Sequence, residues 1–193
     1  MNGAVDQLAF HPCEVEHSCR AIGQGWELTA VTSMFMHGSW LHLLGNMLFL
    51  WIFGNNVEDA MGRIKFIVFY FLSGFAALGL QTLITLTTSP LQDHGIPFLG
   101  ASGAISGVLG AYFVLLPKAS VLTLVFFFLP VLIPAWVFLV LWFGFQLISS
   151  SASLQHPESG GGVAFFAHIG GFVFGLLAVR LFRTRSWLAP AYR

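Results

Sequence analysis

Few residues in this chain could do chemistry, and two of them stand in apolar company. Gly100-Ala101-Ser102-Gly103 offers a hydroxyl, and Ala167-His168-Ile169-Gly170-Gly171 offers an imidazole. Such groups are rare in lipid-embedded sequence unless they have a function. A serine beside a histidine that can take its proton is an activated nucleophile, so Ser102 and His168 form a candidate active site. His42 and Asn46 join them because their spacing puts both on one helix face, a turn apart.

The medium follows from composition. Hydrophobic residues make up 56% of the 193-residue chain and charged residues 8%, against about 25% charged in an ordinary soluble domain. Too little polar surface is available to face water, so the expectation is an all-α, polytopic membrane protein. The formal net charge is +0, and no basic run or aromatic-basic interleaving points to nucleic acid. Residues 1–38 carry no apolar leader core, so the first span is expected to act as its own insertion signal.

The elements that must position the candidates gather at Trp40 to Val57, Phe66 to Leu86, Ser102 to Leu116, Pro134 to Ser149 and Val163 to Phe182. With about twenty residues needed per bilayer crossing, these read as about five spans. Pro130 and Pro134 interrupt the apolar run from Val121, which reads as an interfacial or partly re-entrant lead-in because proline breaks the helical ladder. The domain reading is an outer tail over 1–38, a membrane domain over 39–182 and an inner tail over 183–193.

Basic residues set the orientation. Arg63, Lys65, Lys118, Arg180, Arg183, Arg185 and Arg193 fall on one side, and only Arg20 on the other. By the positive-inside rule the N-terminus is outside and the C-terminus inside. The first, third and fifth spans then run inward in parallel, which places His42, Ser102 and His168 at a shared depth in the outer third of the membrane, with Asn46 one turn deeper.

Small residues supply close approach. Gly103 and Gly107 in the third span and Gly171 and Gly175 in the fifth form small-xxx-small faces, which let helix backbones meet in lipid. Ser106, one turn below Ser102, reads as a packing residue. A membrane serine can also bond back to its own helix, which is the competing reading for Ser102 itself. In the tail, His11, Cys13, His17 and Cys19 leave open a zinc site, a Cys13–Cys19 disulfide in an oxidising compartment, or no special role.

Phe35-Met36-His37-Gly38-Ser39-Trp40-Leu41-His42-Leu43-Leu44-Gly45-Asn46, with GASG at 100–103 and AHIGG at 167–171, resembles the rhomboid intramembrane serine proteases from about Trp26 to Leu181. The resemblance is to the bacterial type without its first transmembrane helix; either the natural start lies upstream or the protein is a five-span form. It implies a Ser102–His168 dyad that needs no cofactor and no metal. His42, Asn46 and the Ser102 backbone N–H would stabilise the oxyanion. Substrates would be transmembrane segments of membrane proteins, cut near the outer face of a bacterial cytoplasmic membrane. The span holding Trp136, Phe138 and Trp142, with the loop from Leu154 to Gly162, resembles the family's lateral gate and cap. The family's Trp-Arg pair is not matched, because Trp26 precedes Glu27. The alternative function is a catalytically silent membrane-protein binder or chaperone. A transporter would show repeated halves or charged spans, and neither is found.

Overall fold

The computed structural model describes residues 3–19, 25–125, 129–155 and 164–184. Arg20, Glu158, Arg185, Arg193 and most of the expected cap loop lie outside the described residues. Three short helices, α1 (Gly3–Leu8), α2 (Pro12–Val15) and α3 (Trp26–Thr32), precede the bundle. Helix α4 (Trp40–Phe49) runs through a π-helical turn (Leu50–Gly54) into α5 (Asn55–Met61). Then come α6 (Arg63–Thr88), α7 (Ser102–Leu115), α8 (Ala135–Gln155) and α9 (Phe165–Phe182).

The protein is thus a mainly helical bundle, as its composition requires. Helices α6 and α9 are long and apolar enough to cross a membrane by length and composition, and α7 and α8 are shorter apolar helices. Outward faces carry large apolar side chains: Trp40 is 81% exposed, Ile64 76% and Leu181 83%. Water would not tolerate so continuous an apolar surface; lipid does. Helix α7 is the opposite case, buried from Gly103 to Tyr112 and enclosed by the other helices.

One element departs from a helical account. The proline-interrupted lead-in is an antiparallel hairpin of β1 (Ser120–Val125) and β2 (Leu129–Pro134), in register from Ser120 opposite Pro134 to Val125 opposite Leu129. Proline is tolerated because each strand of a two-stranded ribbon has a free edge. The hairpin delivers the chain to α8, whose first N–H groups donate from Ala135 to Ala119 O at 2.8 Å and from Trp136 to Pro117 O at 2.9 Å.

Aromatic side chains build much of the core of the bundle. Phe53 meets Tyr112 edge-on at 5.0 Å and stacks on Phe138 at 5.9 Å, joining α5's lead-in, α7 and α8. Phe69 packs on Phe174 and Phe182 between α6 and α9. Gly62 makes the turn from α5 to α6 with φ 81°, a left-handed conformation that favours glycine.

Candidate active site

Ser102 opens α7, and its position rests on the turn before it. Gly100 has φ 121°, and its N–H donates to Ser33 O at 2.9 Å. A Cβ at residue 100 would lie 2.8 Å from His42 Cε1 and Nε2 and 3.8 Å from Asn46 Nδ2. Only glycine satisfies both the backbone and the close approach. His42 and Asn46 therefore converge on the turn that delivers Ser102.

The α4 side of this convergence is fixed by a cap. Ser39 is extended, and its hydroxyl accepts from the His42 N–H at 3.1 Å, so the first turn of α4 is held where His42 begins to project. The His37 ring meets His42 edge-on at 5.1 Å. Asn46 is buried, and its amide Nδ2 has no hydrogen-bond partner among the described residues. Buried polar groups are nearly always satisfied, so an amide donor left unused here is uncommon.

His168 comes to Ser102 through the α7–α9 seam. A Cβ on Gly171 would collide with Gly103 O, and one on Gly175 with Gly107 O. On the α7 side, a Cβ on Gly107 would strike Ser73 of α6, and one on Gly110 the Phe172 carbonyl of α9. Backbone lies directly on backbone along this seam, an approach that larger side chains would forbid. Across it, His168 Nε2 and Ser102 Oγ are 2.8 Å apart. Ser106, expected as a packing residue, is buried and donates its hydroxyl to Ser102 O at 2.6 Å.

Two residues with no motif around them complete the setting. Gln81 of α6 accepts from the Ala167 N–H at 3.1 Å, satisfying a first-turn donor of α9 immediately before His168. Gln146 of α8 places Oε1 2.9 Å from His168 Nδ1. An amide oxygen only accepts, so this contact is the one made by the tautomer with its hydrogen on Nδ1 and its lone pair on Nε2. Trp142 lies against the same imidazole, with ring centroids 6.0 Å apart, and against Phe172. Trp142 thus faces a neighbouring helix, Phe138 joins the aromatic core, and Trp136 is half-exposed. A single signal could have pointed to both glutamines: an amide inside an apolar run needs a partner.

A cavity of about 30 Å³ adjoins Ser102, bordered by Ser33, Gly100, Gly103 and Ala164, and such a volume holds one water.

Outside the bundle, the tail is clamped to the loop that leads to Ser102. Phe10 and Phe98 exchange N–H···O bonds of 3.0 and 2.7 Å, and His11 Nδ1 lies 3.0 Å from Gly95 O. Cys13 and Cys19 form a disulfide, which removes the thiolates that a zinc site would have used. His94, 3% exposed, donates from Nδ1 to Glu16 at 2.7 Å and from Nε2 to Ser89 O at 3.1 Å. The hydrogen bond to Glu16 raises the His94 pKa above its ordinary value, the Ser89 carbonyl adds to this, and burial opposes it.

The Rhomboid domain profile matches residues 23–185. The chain is 34% identical over 158 residues to Rhomboid protein 1, mitochondrial, of Saccharomyces cerevisiae, covering 78% of this chain and 40% of that protein. It is 30% identical over 150 residues to the Presenilin-associated rhomboid-like protein, mitochondrial, of Mus musculus, covering 75% and 35%. It is 35% identical over 89 residues to RHOMBOID-like protein 5 of Arabidopsis thaliana, covering 46% and 26%. The chain thus spans well under half the length of these relatives. With a matched domain over most of its length and a helical membrane bundle around it, this chain belongs to the rhomboid family of integral membrane proteins.

Proposed function

We propose that this chain is an intramembrane serine endopeptidase that cuts transmembrane segments of membrane proteins near one face of the bilayer. The observation that carries the reading is the 2.8 Å contact between Ser102 Oγ and His168 Nε2, made inside an apolar bundle. In the first step His168 Nε2 takes the Ser102 proton as Oγ bonds to the scissile carbonyl carbon. The carbonyl oxygen becomes an oxyanion. The unpartnered Asn46 amide, His42 and the Ser102 N–H, in a first turn with no acceptor in its own helix, are the donors available to it. As the C–N bond breaks, the imidazolium returns its proton to the leaving amine, and an acyl-enzyme remains. Water then gives a proton to His168 and its hydroxide to the acyl carbon; the C–Oγ bond breaks and Ser102 recovers its proton. The cavity beside Ser102 has room for that water.

The orientation we infer puts the site toward the side opposite the basic loops. Arg63 and Lys65 start α6 at the far end from Ser102, and the Cys13–Cys19 disulfide on the site's side suits an oxidising compartment. A bacterial cytoplasmic membrane with the site facing outward fits both; fractionation of the host cell tests it. The proposed division is an outer tail to residue 38, a membrane domain over 39–182 and an inner tail beyond.

Cleavage of a single-span reporter in liposomes tests the activity. The wild-type chain should cut it, and Ser102→Ala and His168→Ala should not. Asn46→Ala should lower kcat about 10²- to 10³-fold, the usual cost of losing an oxyanion donor, with little change in melting temperature because no hydrogen bond within the protein is lost. Binding of the reporter without cleavage by a folded wild-type protein would instead favour a membrane-protein binder.

A further inference from the structure

We propose that Gln146 is a positioning residue that selects the reactive tautomer of His168, and that α8 thereby sets the readiness of the base. The proposal rests on the protease reading for its kinetic consequence but on geometry for its substance. Gln146 is 5% exposed and directly follows the unbroken apolar run from Ala135 to Phe145 in α8. Burying an amide there is costly unless it is bonded, and its Oε1 is 2.9 Å from His168 Nδ1. A neutral imidazole has one N–H and one lone pair. If Nδ1 is protonated, Nε2 can accept the Ser102 proton; if Nε2 is protonated, it cannot. In a serine-histidine-carboxylate triad the acid makes this choice and also supports the imidazolium. Here the side chain that meets Nδ1 is a neutral amide, so it orients the ring without adding charge.

Helix α8 holds the ring in two ways. Gln146 binds its Nδ1 edge, and Trp142, one turn earlier on the same face, lies against it at 6.0 Å with planes tilted 39°. Neither residue belongs to the helices that carry the serine and the histidine, so a displacement of α8 would release the imidazole while leaving the α7–α9 seam intact. A purely structural reading is that Gln146 only fastens α8 to α9, as interhelical polar contacts do in membranes. The two readings separate on the tautomer.

The test uses the full chain in micelles with ¹⁵N-labelled histidine, with His168→Ala as the difference control that isolates the ring. Wild type should show a protonated Nδ1 and a bare Nε2 at His168. Gln146→Met, close in volume but without a strong acceptor, should shift His168 toward a mixture with Nε2–H. It should also lower kcat about tenfold, as expected for one lost hydrogen bond, with KM changed less than about twofold. Gln146→Glu restores an acceptor at the same reach and should recover both the tautomer and most of the rate; Gln146→Leu repeats the loss should the methionine variant fold poorly. An Nε2–H tautomer in wild type would overturn the proposal, as would folded Met and Leu variants with unchanged tautomer and kcat. If wild type cleaves nothing yet the tautomer shifts on Gln146→Met, the positioning role stands and the protease reading falls.

Discussion

The α7–α9 seam and the α8 flank approach the same imidazole from opposite sides, and they are built by opposite means. The seam is glycine: Gly110, Gly171 and Gly175 leave no side chains between two backbones, and Gly171 and Gly175 lie on the carbonyls of Gly103 and Gly107. The flank is aromatic, with Phe143 stacked on Phe172 at 4.6 Å and Phe138 lodged against Phe49 and Phe53. Backbone contacts have no rotamers and admit one spacing, whereas rings can repack. The seam therefore sets the 2.8 Å distance between Ser102 Oγ and His168 Nε2, and the flank sets only how the ring is held.

Breaking the seam should have the largest effect. Gly171→Val or Gly175→Val puts a branched side chain where even a Cβ collides with a carbonyl. The helices must part, which should cost about 3 kcal/mol or more in unfolding stability and abolish cleavage together with it. Thermal denaturation in detergent beside the reporter assay checks both. The flank should tolerate change: Phe138→Leu should cost about 1 kcal/mol and leave serine reactivity within about threefold of wild type. Equal losses at the two places would remove the distinction.

The smallest effect belongs to the clamp on the N-terminal tail, which sharpens the comparison by lying outside both regions. His94 donates from both ring nitrogens, so its bonds require the imidazolium. Its raised folded pKa means that its contribution to stability is complete below the unfolded value, about 6.5, and is lost as pH rises through the higher folded value. Glu16, whose pKa is lowered first by its bond from Ser18 and then by His94, contributes above its unfolded value and fades as pH falls through the lowered one. Comparing melts of wild type and His94→Gln should show a gap near pH 6 that closes in alkali. A gap that does not depend on pH would mean that His94 contributes by packing alone.

The parts legible in the sequence are those with local signatures. The helices are written in apolar runs, and the family in three short motifs that carry Ser102, His168, His42 and Asn46. The partners of the two glutamines were not legible, because the choice of partner depends on how α6 and α8 cross α9, and no local pattern encodes a crossing. The β-branched residues of Ser-Val-Leu-Thr-Leu-Val favour a strand at β1, but Ser120 and Thr123 are three apart, so no two-residue period marked it. The pairing of Phe10 with Phe98 joins segments far apart in the chain and leaves no trace in either. Ser102 and Ser106 show the limit most clearly: one turn apart on one helix, one meets an imidazole and the other bonds back to the backbone. In the fold, the position of His168 separates them.

That separation is also the most direct test. The detergent-solubilised chain should be labelled by a fluorophosphonate serine probe, label should disappear in Ser102→Ala and His168→Ala, and it should persist in Ser106→Ala. Label retained in a folded Ser102→Ala protein, or lost only in Ser106→Ala, would contradict the assignment of Ser102 as the activated nucleophile.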